Sequence, residues 1–205
     1  MEEILSSDYS SKSPVYSTQN LINLKPKKEQ FNQKSFSFSK IISELLTDIC
    51  EESKSNIESK LTLLKPFISK KIPSISLNDY IERLLKYGKT FNEIIIIILI
   101  YLDTISAKHK INLNYYNIHK LIFGAFIVAI KFHEDEYYSM NYYSKLGGIS
   151  KKEAINLEYE FMNLIDFKLF VNQQLYDKYY NYLSNLKEEY EDEDIYDDES
   201  EVDVN

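Results

Sequence analysis

The chain has 205 residues, 44% of them hydrophobic, enough for one soluble domain with a real core, and its single cysteine excludes an internal disulfide or thiolate metal cluster and fits a reducing, intracellular setting. The acidic start MEEILSS lacks the positive charge and apolar run of a secretory signal, and the longest apolar run, Ile94 to Leu102, is far shorter than the ~20 residues that cross a bilayer. The formal charge of −8 is uneven: residues 188–205 hold eleven acids and no Lys or Arg, leaving +3 on residues 1–187, with no dense basic stripe for a nucleic-acid backbone.

Residues 1–35 are rich in Ser, Asn, Lys and Gln, include Pro14 and Pro26, and show no sustained periodicity, so a mostly disordered arm is expected. Lys25 to Lys28 (KPKK) and Ser13-Pro14 match an import patch and a proline-directed phosphorylation site, patterns too short to direct the reading. Residues 37–52 place Ile41, Ile42, Leu45, Leu46 and Ile49 at helical spacing and predict a short amphipathic helix that packs on the body or reaches a partner. Ser76 with Asp79, after Pro73, approximates a capping box for a helix that ends near Tyr87 with Gly88 as its stop. The next helix is expected over 92–108. β-Branching at Ile94–Ile98 favours a strand, but the apolar character continues to Ile105 without turn residues, so length decides for a buried helix. A third helix over 115–133, with Asn114 as cap, is apolar on nearly all sides and belongs at the centre of the fold. Met140 to Leu146 makes a short helix, Gly147-Gly148 breaks it, and Ser150 with Glu153 caps the fifth body helix, 151–165. A closing amphipathic helix over 172–187 uses Leu175, Tyr179, Tyr182, Leu183 and Leu186, and the self-repelling acids of 188–205 read as a disordered tail. The organisation is an arm (1–35), an all-α domain (36–187) and a tail (188–205).

Function is sought where charge interrupts apolar helices, because a buried charge is costly unless it is paired. Lys131 ends the run FGAFIVAI, and Glu158 shares a helix stripe with Ile155, Met162 and Ile165. On spacing alone the commoner outcome is a solvated lysine and a local surface pair. Arg83 is the lone arginine in a lysine-rich chain, which suggests a need for a planar guanidinium bound to a carboxylate, with Asp103 as the candidate partner. Residues 131–169 are read as a face for docking another protein.

The stretch from Pro73 to Leu183 resembles a cyclin box, most closely that of the P-type, phosphate-pathway cyclins. SISLNDYIERLLKY, IYLD, NIHKLIFGAFIVAIKFHEDEYYSMNYYSKLGGIS and LEYEFMNLIDFKLFV carry the resemblance, which covers about half the chain. It implies a single five-helix cyclin box with flanking N- and C-terminal helices. It also implies a regulatory subunit that binds and activates a cyclin-dependent protein kinase, in cell-cycle or phosphate-linked signalling. Lys131 and Glu158 match the lysine and glutamate that cyclins use to grip the kinase, Phe132, Met162, Phe167 and Leu169 match apolar positions of the same face, and Arg83 and Asp103 match an internal ion pair. Thr104 stands where many cyclins have an arginine after the aspartate. The chain has no tryptophan and lacks the hydrophobic docking motif and the second box of the mitotic group, which suits the P-type group better.

Enzyme chemistry is the least favoured class. His133-Glu134-Asp135-Glu136 lacks the second histidine of a zinc helix, His109 and His119 stand apart from it, no G-x-S-x-G or phosphate loop occurs, and the tail acids match no EF-hand. No catalytic residue, metal or cofactor is expected, and no nucleic-acid or membrane partner; the expected setting is cytoplasm, nucleus or both. The alternative function is a cyclin-fold adaptor in transcription that activates no kinase.

Overall fold

The computed structural model of the chain describes residues 37–53 and 62–198; the arm over 1–35 with its KPKK and Ser13-Pro14 patterns, and the last acids, 199–205, lie outside the described residues. Among those described are seven α-helices, one 3-10 segment and no strand. In order they are α1 (Phe38–Glu52), the 3-10 segment Thr62–Phe67, α2 (Leu77–Tyr87), α3 (Ile94–His109), α4 (Ile118–His133), α5 (Met140–Leu146), α6 (Lys151–Leu164) and α7 (Gln173–Asp198).

Local chemistry sets most of the boundaries. Ser37, Ser76, Ser139 and Ser150 each stand in extended backbone and accept a backbone N–H from three residues on, satisfying one of the donors a helix start leaves open. The cap of α4 differs from expectation. The helix begins at Ile118, after Asn117, because residues 114–117 form a turn held by side chains. Asn114 Oδ1 accepts the Tyr116 N–H (3.0 Å), while the Asn117 amide accepts the Asn114 N–H (3.0 Å) and donates to Asn112 O (2.9 Å). Such bonds offer the backbone an alternative to the first helical turn.

α4 is the central element, with every residue from Leu121 to Ile130 buried, and α3 and α6 pack directly on it. Gly124 permits the α4–α6 approach: a Cβ there would stand 3.0 Å from the Phe161 ring. α3 is covered by α4, α1 and α7, which explains why its isoleucine run is helical and apolar nearly all round. α1 seals α2, α3 and α7 with Ile41, Ile42, Leu46 and Cys50 fully buried, and burial pushes the Cys50 thiol up to about 12. α7 closes the body with Tyr179, Leu183 and Leu186. It does not stop near residue 187 but runs to Asp198. Once a packed turn nucleates a helix, each further residue adds a hydrogen bond, and glutamate tolerates the helix well.

The expected Arg83–Asp103 ion pair is not formed. Asp103 is fully buried on the α3 face toward α7, where it accepts a hydrogen bond from the Tyr179 hydroxyl. Arg83, on α2, lies over the Tyr80 ring at 5.3 Å and reaches the α5–α6 turn at Gly148. The two side chains leave their helices toward different neighbours.

A candidate docking face on α4, α6 and the turn after α6

Helix α6 has two apolar faces, which a helix that only closes a core does not need. Ala154, Leu157, Phe161 and Leu164 are buried against the body, and the opposite stripe carries Ile155 (49% exposed), Glu158, Tyr159 (56% exposed) and Met162. Ile165, assigned to that outer stripe from spacing, instead turns inward and is buried at the helix end. Beside α6, the last turn of α4 presents Lys131 and Phe132, the latter 48% exposed.

The structure brings Lys131 and Glu158 together across the α4–α6 contact. Lys131 Nζ lies 2.6 Å from Glu158 Oε1, with the side chains 31% and 15% exposed. A charged pair thus sits half-buried, with exposed apolar side chains on the same elements. Met162 and Leu169 are partly buried against the core, whereas Phe167 and Phe170 are 61% and 78% exposed. Tyr159 and Phe170 were missed from sequence. Tyr159 follows Ile155 by four residues and so was readable, but Phe170 follows the helix in irregular backbone, where no periodicity marks a face.

The histidines lie at separate places. His109 Nε2 donates to Leu164 O (2.8 Å), His119 Nε2 to Ile75 O (3.1 Å), and His133 Nε2 lies 3.2 Å from the Tyr101 hydroxyl. Burial holds His119 and His133 below the ordinary histidine range. Glu134 and Glu136 tie the end of α4 to the α2–α3 connection: Glu134 accepts from Thr90 Oγ1 and Phe91 N–H, and Glu136 pairs with Lys89 at 2.6 Å. Among the described residues no group of three His, Cys, Asp or Glu side chains is placed to hold a metal, and no helix is long and apolar enough to cross a membrane.

A family model described as cyclin matches residues 16–169. The chain is 35% identical over 150 residues to PHO85 cyclin-7 of Saccharomyces cerevisiae, covering 67% of this chain and 53% of that protein. It is 35% identical over 112 residues to Cyclin-U4-1 of Arabidopsis thaliana (54% and 55%) and 38% identical over 108 residues to PHO85 cyclin-like protein psl1 of Schizosaccharomyces pombe (52% and 44%). The chain spans about half the length of these curated relatives. With a helical body and relatives of this kind, the chain belongs to the cyclin family, in its P-type branch.

Proposed function

We propose that this cyclin binds and activates a cyclin-dependent protein kinase through the face formed by Lys131, Phe132, Glu158, Met162, Phe167 and Leu169. The observation that carries the reading is the Lys131–Glu158 pair, 2.6 Å apart, between α4, which exposes Phe132, and α6, which exposes Ile155 and Tyr159. Exposed apolar side chains gathered on neighbouring elements are a mark of protein-binding surfaces. The names of two relatives, PHO85 cyclin-7 and PHO85 cyclin-like protein psl1, point the same way.

The mechanism is a shift of population. The cyclin binds preferentially to the kinase conformation whose regulatory helix is turned inward, completing the catalytic Lys–Glu pair of the kinase, and supplies differential binding energy but no catalytic group. Raising an active state from about 1% to about 99% requires a preference of ~5.5 kcal/mol. The test is a tagged pull-down from native cells, comparing wild type with a Lys131→Ala, Glu158→Ala double variant and identifying the captured proteins by mass spectrometry. A cyclin-dependent kinase captured by wild type and lost with the variant supports both partner and face; no kinase in either sample overturns the reading in favour of an adaptor.

A further inference from the structure

The turn that displays Phe167 places an aromatic residue in backbone unsuited to it, beside an aspartate that tolerates it better. Asp166 (φ 53°) and Phe167 (φ 56°) are consecutive left-handed residues without a glycine between them. A Cβ resists that conformation, which persists only where neighbours impose it. The neighbours here are side chains of α3. Lys108 Nζ pairs with Asp166 and lies 3.4 Å from Leu164 O, and His109 Nε2 donates to the same carbonyl at 2.8 Å. Tyr101, seven residues before Lys108 and so on the same side of α3, donates its hydroxyl to Leu169 O at 2.6 Å. Lys168 is a more distant second partner of Asp166, at 3.8 Å. Within the turn, Phe167 N–H bonds Met162 O at 2.9 Å and Lys168 N–H bonds Ile165 O at 3.1 Å.

We propose that Tyr101, Lys108 and His109 are positioning residues for docking: they clamp the turn at Leu164, Asp166 and Leu169 in the left-handed form that holds Phe167 outward before a partner arrives. The proposal rests on the docking reading above, but the clamp residues stand behind the face. Tyr101 is buried, and Lys108 and His109 are half-buried. A protein whose competent conformation is only fractionally populated binds more weakly by that fraction. Releasing a turn that carries left-handed strain should therefore lower apparent affinity on the order of tenfold.

The experiment uses the full chain and the purified kinase that wild type captures. Dissociation constants are measured for wild type, Lys108→Ala, and Lys108→Ala combined with Asp166→Gly. Glycine adopts left-handed backbone without the Cβ penalty, so the single variant should lose about tenfold and the combined variant should recover to within about threefold of wild type. Wild-type affinity in the single variant, or no recovery in the combined one, overturns the clamp. A kinase-free readout separates this from failure of the docking reading. The chain contains no tryptophan, so Phe167→Trp gives a single reporter on the turn. Adding Lys108→Ala to that reporter should shift its emission and acrylamide quenching. If wild type binds no kinase, the docking reading fails and the reporter decides alone, with unchanged emission and quenching overturning the clamp.

Discussion

Replacing Glu158 by alanine removes one member of a half-buried ion pair, and the consequences for the free protein and for the complex differ in size. In the free protein the Lys131 side chain is 31% exposed, so its ammonium keeps access to water when Glu158 is gone. The stability cost is then that of a partly exposed pair, about 0.5–1 kcal/mol, a fall of about 2–4 °C in Tm at most for a body of this size. On the proposed docking face the same lysine would be covered by the partner and left without its carboxylate. Truncating one side of such a contact costs about 2–5 kcal/mol, or about 30- to 4,000-fold in Kd. Calorimetric titration of the kinase with wild type and Glu158→Ala, together with circular-dichroism melts of both, measures the two costs separately. An affinity within about threefold of wild type at intact helicity would refute the assignment of Glu158 to the docking face. A Tm loss of about 10 °C would instead make the pair a structural element of the α4–α6 contact.

Other parts of the molecule give sharper tests of stability. Gly124→Val places methyl groups where even a single Cβ would already lie 3.0 Å from Phe161, so unfolding free energy should fall by about 1–3 kcal/mol in urea titration; an unchanged midpoint would show that α6 moves aside freely. Burial raises the Glu44 carboxyl from 4.5 to about 7, so its charging opposes folding increasingly as pH rises through that range. Glutamine has no proton to lose there: Glu44→Gln should gain about 1–2 kcal/mol at pH 8, a figure discounted for partial exposure, and the gain should be gone below about pH 4.5, whereas a pH-independent difference would contradict the assignment. Deleting residues 188–205 should leave Tm within about 2 °C, because the last buried side chain described on α7 is Leu186; a larger drop would show that the helical extension packs.

Legibility in the sequence followed the range of the interaction. Helix starts at Ser76 and Ser150 were readable because a cap and the N–H that donates to it lie within three residues, and the identity of α3 as a helix was readable from the length of its apolar run. The start of α4 was misplaced by three residues because two asparagine side chains compete with the helix for the same backbone groups. Arg83 and Asp103 mispaired for a different reason: spacing does not state which neighbour a helix face meets. The meeting of Lys131 with Glu158, 27 positions apart, was likewise invisible to periodicity; the family resemblance singled out both residues, but as contacts to a kinase and not to each other. The left-handed pair at Asp166 and Phe167 carried no signal at all, since the residue that ordinarily announces it, glycine, is absent there.

The paired charges bear on how the face works before and during docking. An exposed apolar stripe with a lone lysine or glutamate in it would have to strip that charge of water as a partner closed over it, a cost of several kcal/mol per ion. Lys131 and Glu158 already hold one another at 2.6 Å in the free chain, in a partly desolvated setting. On the proposed reading a partner would then close over an ion pair that already exists, so that part of the desolvation has been met during folding. The proposed clamp would do the same for Phe167, holding it outward from α3 before a partner arrives. A surface prepared in both respects loses little to reorganisation when it binds, so more of its contact energy remains to discriminate between two conformations of a partner.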